Sequence, residues 1–423
     1  MMNFLTEDTK AIILLCGILG KKSSVKPLSQ TEYSRLVRWL IDNSLTPASL
    51  LDNKLIKDAS SGSGLEENRL EILLGRGTQL GFAVEKWQRD GVWVISRSDA
   101  DYPRRYKQHL KEKAPALLFG IGDRTLLSGG GLAMVGSRNV DVKGEAFTKK
   151  VAVSCSKSQM PVVSGGARGV DQISMETALD AGGTSIGIVA DNLLKKSLGK
   201  KFRKAIASKR LLLISPFHPG ARFTVWNAMD RNKLIYAMAD YSLIVSAEHN
   251  KGGTWSGATE ELKRKDAIPV FCRIDPDVPK GNKKLLELGA IQWPENYPTL
   301  KLNFSLKNAA TSFYEKQEQK NLTLFDLPVC REASPKKEKE AELPKAPPEM
   351  HQKKEDKTFL PPSIYAAVLP VIIKNLSSPI TPADLAEKLD IQKGQMTAWL
   401  KKAEEEGKIK KTINPVRYSR VEK

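Results

Sequence analysis

Between Gly91 and Arg273 the chain carries eight short apolar runs set apart by turn residues: GVWVIS, ALLFGIG, GLAMVGSR, MPVVSGG, TSIGIVA, RLLLISP, YSLIVSA and AIPVFCR. Runs that are apolar at every position, rather than at alternate ones, form strands buried on both faces. The helical patterns between several of them are the crossovers that parallel strands require. This region therefore predicts an α/β fold with a parallel sheet covered on both sides. In such a sheet, ligands bind outside the carboxyl ends of the strands.

The flanks read differently. Residues 1–88 predict an N-terminal helical domain, with Leu36, Val37, Leu40 and Ile41 on one face and a break at SSGSG, residues 60–64. The sheet region takes residues 89–297. Residues 298–360 read as a mostly disordered charged linker, because REASPKKEKEAELPKAPPEMHQKKEDK has almost nothing apolar to bury. A compact unit resumes at 361–423. There Thr381 is a helix cap with Pro382 at the first helical position, a turn falls near Asp390, and a second helix carries Met396, Trp399 and Leu400 up to Gly407. The basic KIKKTINPVRYSRV supplies a two-stranded wing, so this unit is expected to be a winged helix-turn-helix.

The 423 residues carry a formal charge of +19, which favours a polyanionic partner. The four cysteines, Cys16, Cys155, Cys272 and Cys330, form no CxxC and no zinc spacing, so neither a disulfide framework nor a structural metal is expected. The first apolar run lacks a basic leader and is too short to span a bilayer, which predicts a soluble cytoplasmic protein with no membrane contact.

Three strand ends open into glycine-rich turns, and glycines there let backbone N–H groups approach a phosphate at a helix N-terminus. MVGSRN places Ser137 and Arg138 after a strand. VVSGGARGVDQ places Ser164, Gly165, Gly166 and Arg168 before a helix, with Asp171 as a helix cap or a ribose or catalytic carboxylate. SAEHNKGGTWSGATEE places Gly252, Gly253, Thr254 and Ser256 before another. None has the dinucleotide GxGxxG spacing or that of a P-loop. Basic residues flank the turns: KKSLGKKFRKAIASKR contains Lys200 and Lys201, and WNAMDRNKLIYAMAD contains Arg231, Asn232 and Lys233. Phe202, Trp226 and Trp255 are interspersed as stacking candidates, Trp226 being the one most suited to a core. Cations tracking a backbone beside aromatic faces are what single-strand binding requires.

In order along the chain, these segments resemble the DNA-processing protein A (DprA/Smf) family. GVWVISRSDADYPRRYKQHLKEKAPALLFGIGD resembles the family's opening segment with Asp101, Tyr102 and Pro103 as its Asp/Tyr/Pro triplet. VGSR, VSGGARGVD, DRNKLI, NKGGTWSGATEEL and KGNKKLLELGA are similar to five further family motifs. The resemblance implies an extended Rossmann-like parallel sheet, binding of single-stranded DNA, a homodimer, and transfer of the strand to a RecA-type recombinase in natural transformation or recombination. It also implies phosphate contacts from Arg138, Ser164, Gly165, Arg168 and Lys200 or Lys201, with Arg231 and Asn232 shaping the pocket. No cofactor and no catalysis are implied.

The sequence departs from the family at several places: Ser174 and Met175 replace an Ala-His pair, Lys233 replaces an arginine, Ser215-Pro216 replaces Ser-Glu, and Trp255 intrudes into a small-residue loop. These leave open a specialised relative in an antiviral defence or toxin–antitoxin locus. A second class of function also stays open. GGTWSGATEE is reminiscent of lysine-decarboxylase-like phosphoribohydrolases, which makes Glu260 or Glu261 a candidate carboxylate in a nucleotide sensor or hydrolase. For the C-terminal unit, which can contact duplex DNA or a protein, Lys401, Lys402, Lys408, Lys410, Lys411 and Arg417 argue for phosphate contacts and the acidic AEEEGK against them.

Overall fold

The computed structural model describes residues 5–20, 25–295, 302–325, 364–376, 378–389, 393–412 and 416–420. Two compact units divide the chain at Cys330 and Arg331. All eight apolar runs are strands: β1 (Trp93–Ser96), β2 (Leu117–Gly122), β3 (Leu132–Gly136), β4 (Val162–Ser164), β5 (Ser185–Ile188), β6 (Leu211–Ser215), β7 (Tyr241–Ser246) and β8 (Val270–Cys272). A two-residue strand, β9 (Ile291–Gln292), completes the sheet among the described residues.

The sheet order is β1-β2-β6-β5-β4-β3-β7-β8-β9. From β6 to β9 every pairing is parallel. β1 and β2 extend the β6 edge as antiparallel strands. Strands β3 to β6 are laid down in one direction from β3, and β7 to β9 in the other. The β3/β7 pair is therefore the topological switch point, where a crevice opens beyond the carboxyl ends. The pairing shifts register there, between Val135 and Gly136, before closing with Gly136 opposite Ser246.

The N-terminal helices Glu7–Cys16, Gln30–Asp42, Ile56–Ser63, Glu67–Leu74 and Gly77–Arg89 share one continuous apolar core with one face of the sheet. Ser29 and Glu32 form a reciprocal capping box that starts the second of them. Leu36 and Leu40 are buried, but Ile41 is 69% exposed, so the expected four-residue face is narrower than its spacing predicts. SSGSG is not a break along its whole length. Its first four residues finish the helix Ile56–Ser63, and only Gly64, at φ 66°, terminates it.

Within the segment expected to be a disordered charged linker, 298–360, the described part is ordered. Leu302–Phe325 is a helix whose Leu302, Leu306, Ala310 and Phe313 are buried in the cores of the first unit. Four apolar residues spaced three or four apart suffice for that docking, although the surrounding sequence is polar. The remainder of the expected linker, and the expected turn at Asp390, lie outside the described residues.

In the second unit, Thr381 accepts from the Asp384 N–H and Pro382 opens the helix Pro382–Lys388. The helix Ile364–Lys374 precedes it and buries Leu369 and Ile372, and a third helix, Lys393–Glu405, buries Met396 and Leu400 in the same core. An antiparallel pair, β10 (Ile409–Thr412) with β11 (Arg417–Arg420), follows, and Ile380 bridges to Tyr418. No described helix is long and apolar enough to cross a membrane.

Candidate nucleic-acid interface

Beyond the β3 and β7 ends lies a cleft of about 460 Å³. Gly136 after β3, Gly252 and Gly253 after β7, and Ala167 of the turn after β4 are among its lining residues. Gly169, at φ 86°, brings the helix Val170–Asp180 hard against the β3 turn, where a Cβ would clash with the Ser137 carbonyl and the Arg138 backbone. Val170 N–H donates to that same Ser137 carbonyl at 3.3 Å. The helix Gly252–Leu262 presents its N-terminus from the other side, and its cap residue, Lys251, makes no side-chain cap. Uncapped N–H groups carrying the positive end of the helix dipole suit an anion.

Charge in the cleft is partly buried. Arg231, on the helix Val225–Met238, is only 5% exposed; its Nη1 donates to the Ile188 carbonyl at 2.9 Å and lies 3.9 Å from Asp171 Oδ2. Asp171 in turn accepts from Gly165 N–H at 3.2 Å. Gly165 is required for this arrangement, because a Cβ there would overlap the Arg231 guanidinium. Burial pushes the Asp171 carboxyl above its ordinary value, and Arg231 only partly offsets it. Burial likewise pulls Arg231 down, with Asp171 partly opposing. Both groups are thus desolvated beyond what their mutual attraction returns. Arg231 Nε is buried with no hydrogen-bond partner among the described residues. A buried cation with an unsatisfied donor, among the residues that line the cleft, makes its wall positive and favours an additional anion there.

The candidate residues separate on this geometry. Ser137, Arg138, Arg231, Asn232, Gly252, Gly253 and Thr254 all line the cleft. Arg138 is exposed, with its guanidinium 5.4 Å from the Phe223 ring centroid. Asn232 Nδ2 donates to the Gly253 carbonyl at 3.3 Å and ties the two helices together. Arg168 is exposed and donates to Asn139 Oδ1 at 2.8 Å, which places it on the turn beside Arg138.

Other candidates are drawn elsewhere. Ser164 is fully buried and donates its hydroxyl to the Met134 carbonyl at 2.6 Å, so its side chain braces β4 against β3 instead of meeting a phosphate. The Gly165 N–H is already engaged by Asp171, and the Gly166 carbonyl accepts from Lys196 Nζ. Lys201 pairs with Glu176 at 3.2 Å and Asp180 at 2.8 Å, away from the cleft, and neighbouring Lys200 is exposed outside the cleft lining. Lys233 pairs with Asp230 and lines a different cleft, beside Phe217 and His218. Ser256 is exposed on the helix surface outside the lining.

The aromatic expectations are also redistributed. Trp226, the residue most suited to a core by sequence, is 82% exposed. Phe202 packs against the larger core, and Trp255 packs edge-on to His249 with ring centroids 4.8 Å apart. Phe223 and Lys251, which line the cleft, were not singled out by sequence. Their only signal is proximity, Phe223 lying just before the Arg231 helix and Lys251 just before the glycine pair.

The hydrolase carboxylates do not reach the cleft. Glu261 is 3% exposed, 3.1 Å from His109 Nε2, and accepts from the Ile268 N–H, while Glu260 is exposed outside the lining. Ser174 and Met175 are buried, and Ser174 donates to the Asp171 carbonyl. Among the described residues no group of His, Cys, Asp or Glu is placed to hold a metal ion.

Comparison with known proteins places this site in context. The family model described as DNA recombination-mediator protein A matches residues 93–299. The chain is 26% identical over 256 residues to the DNA processing protein DprA of Bacillus subtilis, across 60% of this chain and 84% of that protein. It is 29% identical over 160 residues to the DNA processing protein DprA of Streptococcus pneumoniae, across 37% of this chain and 56% of that protein. The X-ray structure of the Streptococcus pneumoniae protein shares the fold, with a TM-score of 0.54 at 19% identity over 68% of this chain and 95% of that one.

Proposed function

The chain belongs, through residues 93–299, to the DprA/Smf family of DNA recombination-mediator proteins, and from that premise we propose that its switch-point cleft holds the phosphates of single-stranded DNA. The observation that supports the reading is Arg231, a buried guanidinium whose Nε has no hydrogen-bond partner among the described residues, lining one cleft with the exposed Arg138 and the N-terminal residues of the helix Gly252–Leu262. Backbone donors and cations in this arrangement bind phosphate without reading bases, so recognition is independent of sequence. The protein is a DNA-binding recombination mediator and not an enzyme in this reading, since neither Glu260 nor Glu261 lines the cleft. Handover of the strand to a RecA-type recombinase, a homodimeric state, cytoplasmic action and a winged-helix role for the C-terminal unit belong to the same proposal. The last is supported by three described helices followed by an antiparallel pair.

The test is binding of a fluorescent single strand across a salt series. With roughly six phosphates engaged, the log–log slope is expected near −4, at about −0.7 per phosphate. Arg138→Ala should weaken binding and make the slope shallower by about 0.7. Salt-independent binding, or an unchanged slope in the variant, would exclude the reading.

A further inference from the structure

Four large apolar side chains crowd the start of the Arg231 helix: Phe223 is 49% exposed, Val225 66%, Trp226 82% and Met229 48%. Single exposed apolar residues are ordinary, but four within seven positions form a patch. Phe223, Val225 and Met229 line the same cleft as Arg138 and Arg231. Trp226 follows Val225 directly and precedes Met229 by one helical turn, so it extends the patch outward from the cleft rim. The Arg138 guanidinium over the Phe223 ring joins the cationic floor to the apolar surface. Arg222 and Lys251, both exposed, add charge around it.

We propose that Phe223 and Trp226 form a base-stacking platform that gives this protein its preference for single strands over duplex. The inference rests on the phosphate reading of the cleft and deepens it. Cations and helix N-termini attract the phosphates of either form and cannot tell them apart. An exposed apolar surface that shares lining residues with that anion site fits a ligand that alternates phosphate with an uncovered aromatic face, which is an unpaired nucleotide. In a duplex those faces are stacked on one another, so the platform gains nothing from it. Both side chains are already exposed, so truncating them removes no core contact.

The experiment compares the full chain with Trp226→Ala, Phe223→Ala/Trp226→Ala and Trp226→Phe. The ligands are oligo(dT), an abasic strand with the same number of phosphates, and a duplex. The wild type should favour oligo(dT) over the abasic strand, and the alanine variants should lose about 5- to 140-fold in oligo(dT) affinity, the range for one stacked base. Their loss on the abasic strand and the duplex should be far smaller, so the single-strand preference collapses. Trp226→Phe should restore most of it, because a smaller ring still stacks. If the oligo(dT)-to-abasic ratio is the same in wild type and both alanine variants, the platform is refuted while the cleft reading stands. If the alanine variants instead change sedimentation from dimer to monomer with that ratio intact, the patch is an interface with a second copy, and the proposal falls. Failure of the wild type to bind oligo(dT) in a salt-dependent way removes the cleft reading and this inference together.

Discussion

Replacing Arg231 by methionine tests the pair at the centre of the cleft. The substitution keeps most of the side-chain volume and removes the donor to the Ile188 carbonyl and the cation 3.9 Å from Asp171. Leaving a buried acceptor without a charged donor costs about 1.5–3 kcal/mol, and breaking a buried ion pair from one side about 3–5 kcal/mol. These terms overlap, the 3.9 Å separation is loose, and Gly165 N–H still donates to Asp171, so the expected loss is about 3–4 kcal/mol at pH 8.

The loss should depend on pH. Burial holds the folded Asp171 carboxyl above its ordinary value, and Arg231 is the strongest influence pulling it down, so the variant's carboxyl rises further. Between the unfolded value near 3.9 and the folded one, the native state binds a proton that the unfolded state lacks. Stability therefore falls as pH rises through that window, by up to about 1.4 kcal/mol per pH unit, and the variant's window reaches higher than that of the wild type. The difference between the two proteins is greatest above the variant's folded value and shrinks on acidification as Asp171 takes up its proton. Urea unfolding at pH 8 and pH 5.5, with wild type run alongside, measures this. The destabilisation should be smaller at the lower pH, and Arg231→Met/Asp171→Asn should recover at least about 1 kcal/mol of the pH 8 loss. A loss below about 1 kcal/mol at pH 8, or an equal loss at both pH values, would refute the account of the pair.

Two further expectations follow from neighbouring residues. Gly165→Ala places a methyl where the Arg231 guanidinium sits and within 2.6 Å of Asp171 Oδ2, so it should destabilise the protein by about 1–3 kcal/mol and weaken single-strand binding together; denaturation and anisotropy on one preparation check both. Glu261→Gln removes the charged partner of His109, so thermal unfolding should show a loss of about 1–3 kcal/mol, with single-strand affinity within about twofold of wild type. Release of base from a nucleoside monophosphate by the wild type, abolished in this variant, would overturn the structural role given to Glu261.

Strand content was legible because the eight apolar runs admit little else. A run buried on both faces needs no partner information to declare itself, and the glycine turns after β3, β4 and β7 mark the ligand edge by composition alone. Local chemistry was equally readable where it depends on adjacent residues, as in the Thr381–Pro382 helix start. The two-residue β9 was not, because so short a strand has no periodicity. The docking of the helix Leu302–Phe325 was hidden by its polar surroundings, since only its contacts show that Leu302, Leu306 and Phe313 have a core to enter.

The site divides along the same line. The sequence by itself determined which turns carry glycine and which segments carry cations, and therefore where an anion can bind. It could not determine which cations are free, because ion pairs form between segments far apart in sequence or along one helix face. Lys201 is neutralised by Glu176 and Asp180, Lys233 turns to another cleft, and Ser164 is drawn into the sheet by Met134. Tertiary structure alone placed Arg231 behind Gly165 and against Asp171, and left Trp226 in solvent although its sequence suits a core. Burial depends on what a residue's neighbours leave uncovered, and those neighbours are brought together only when the chain folds.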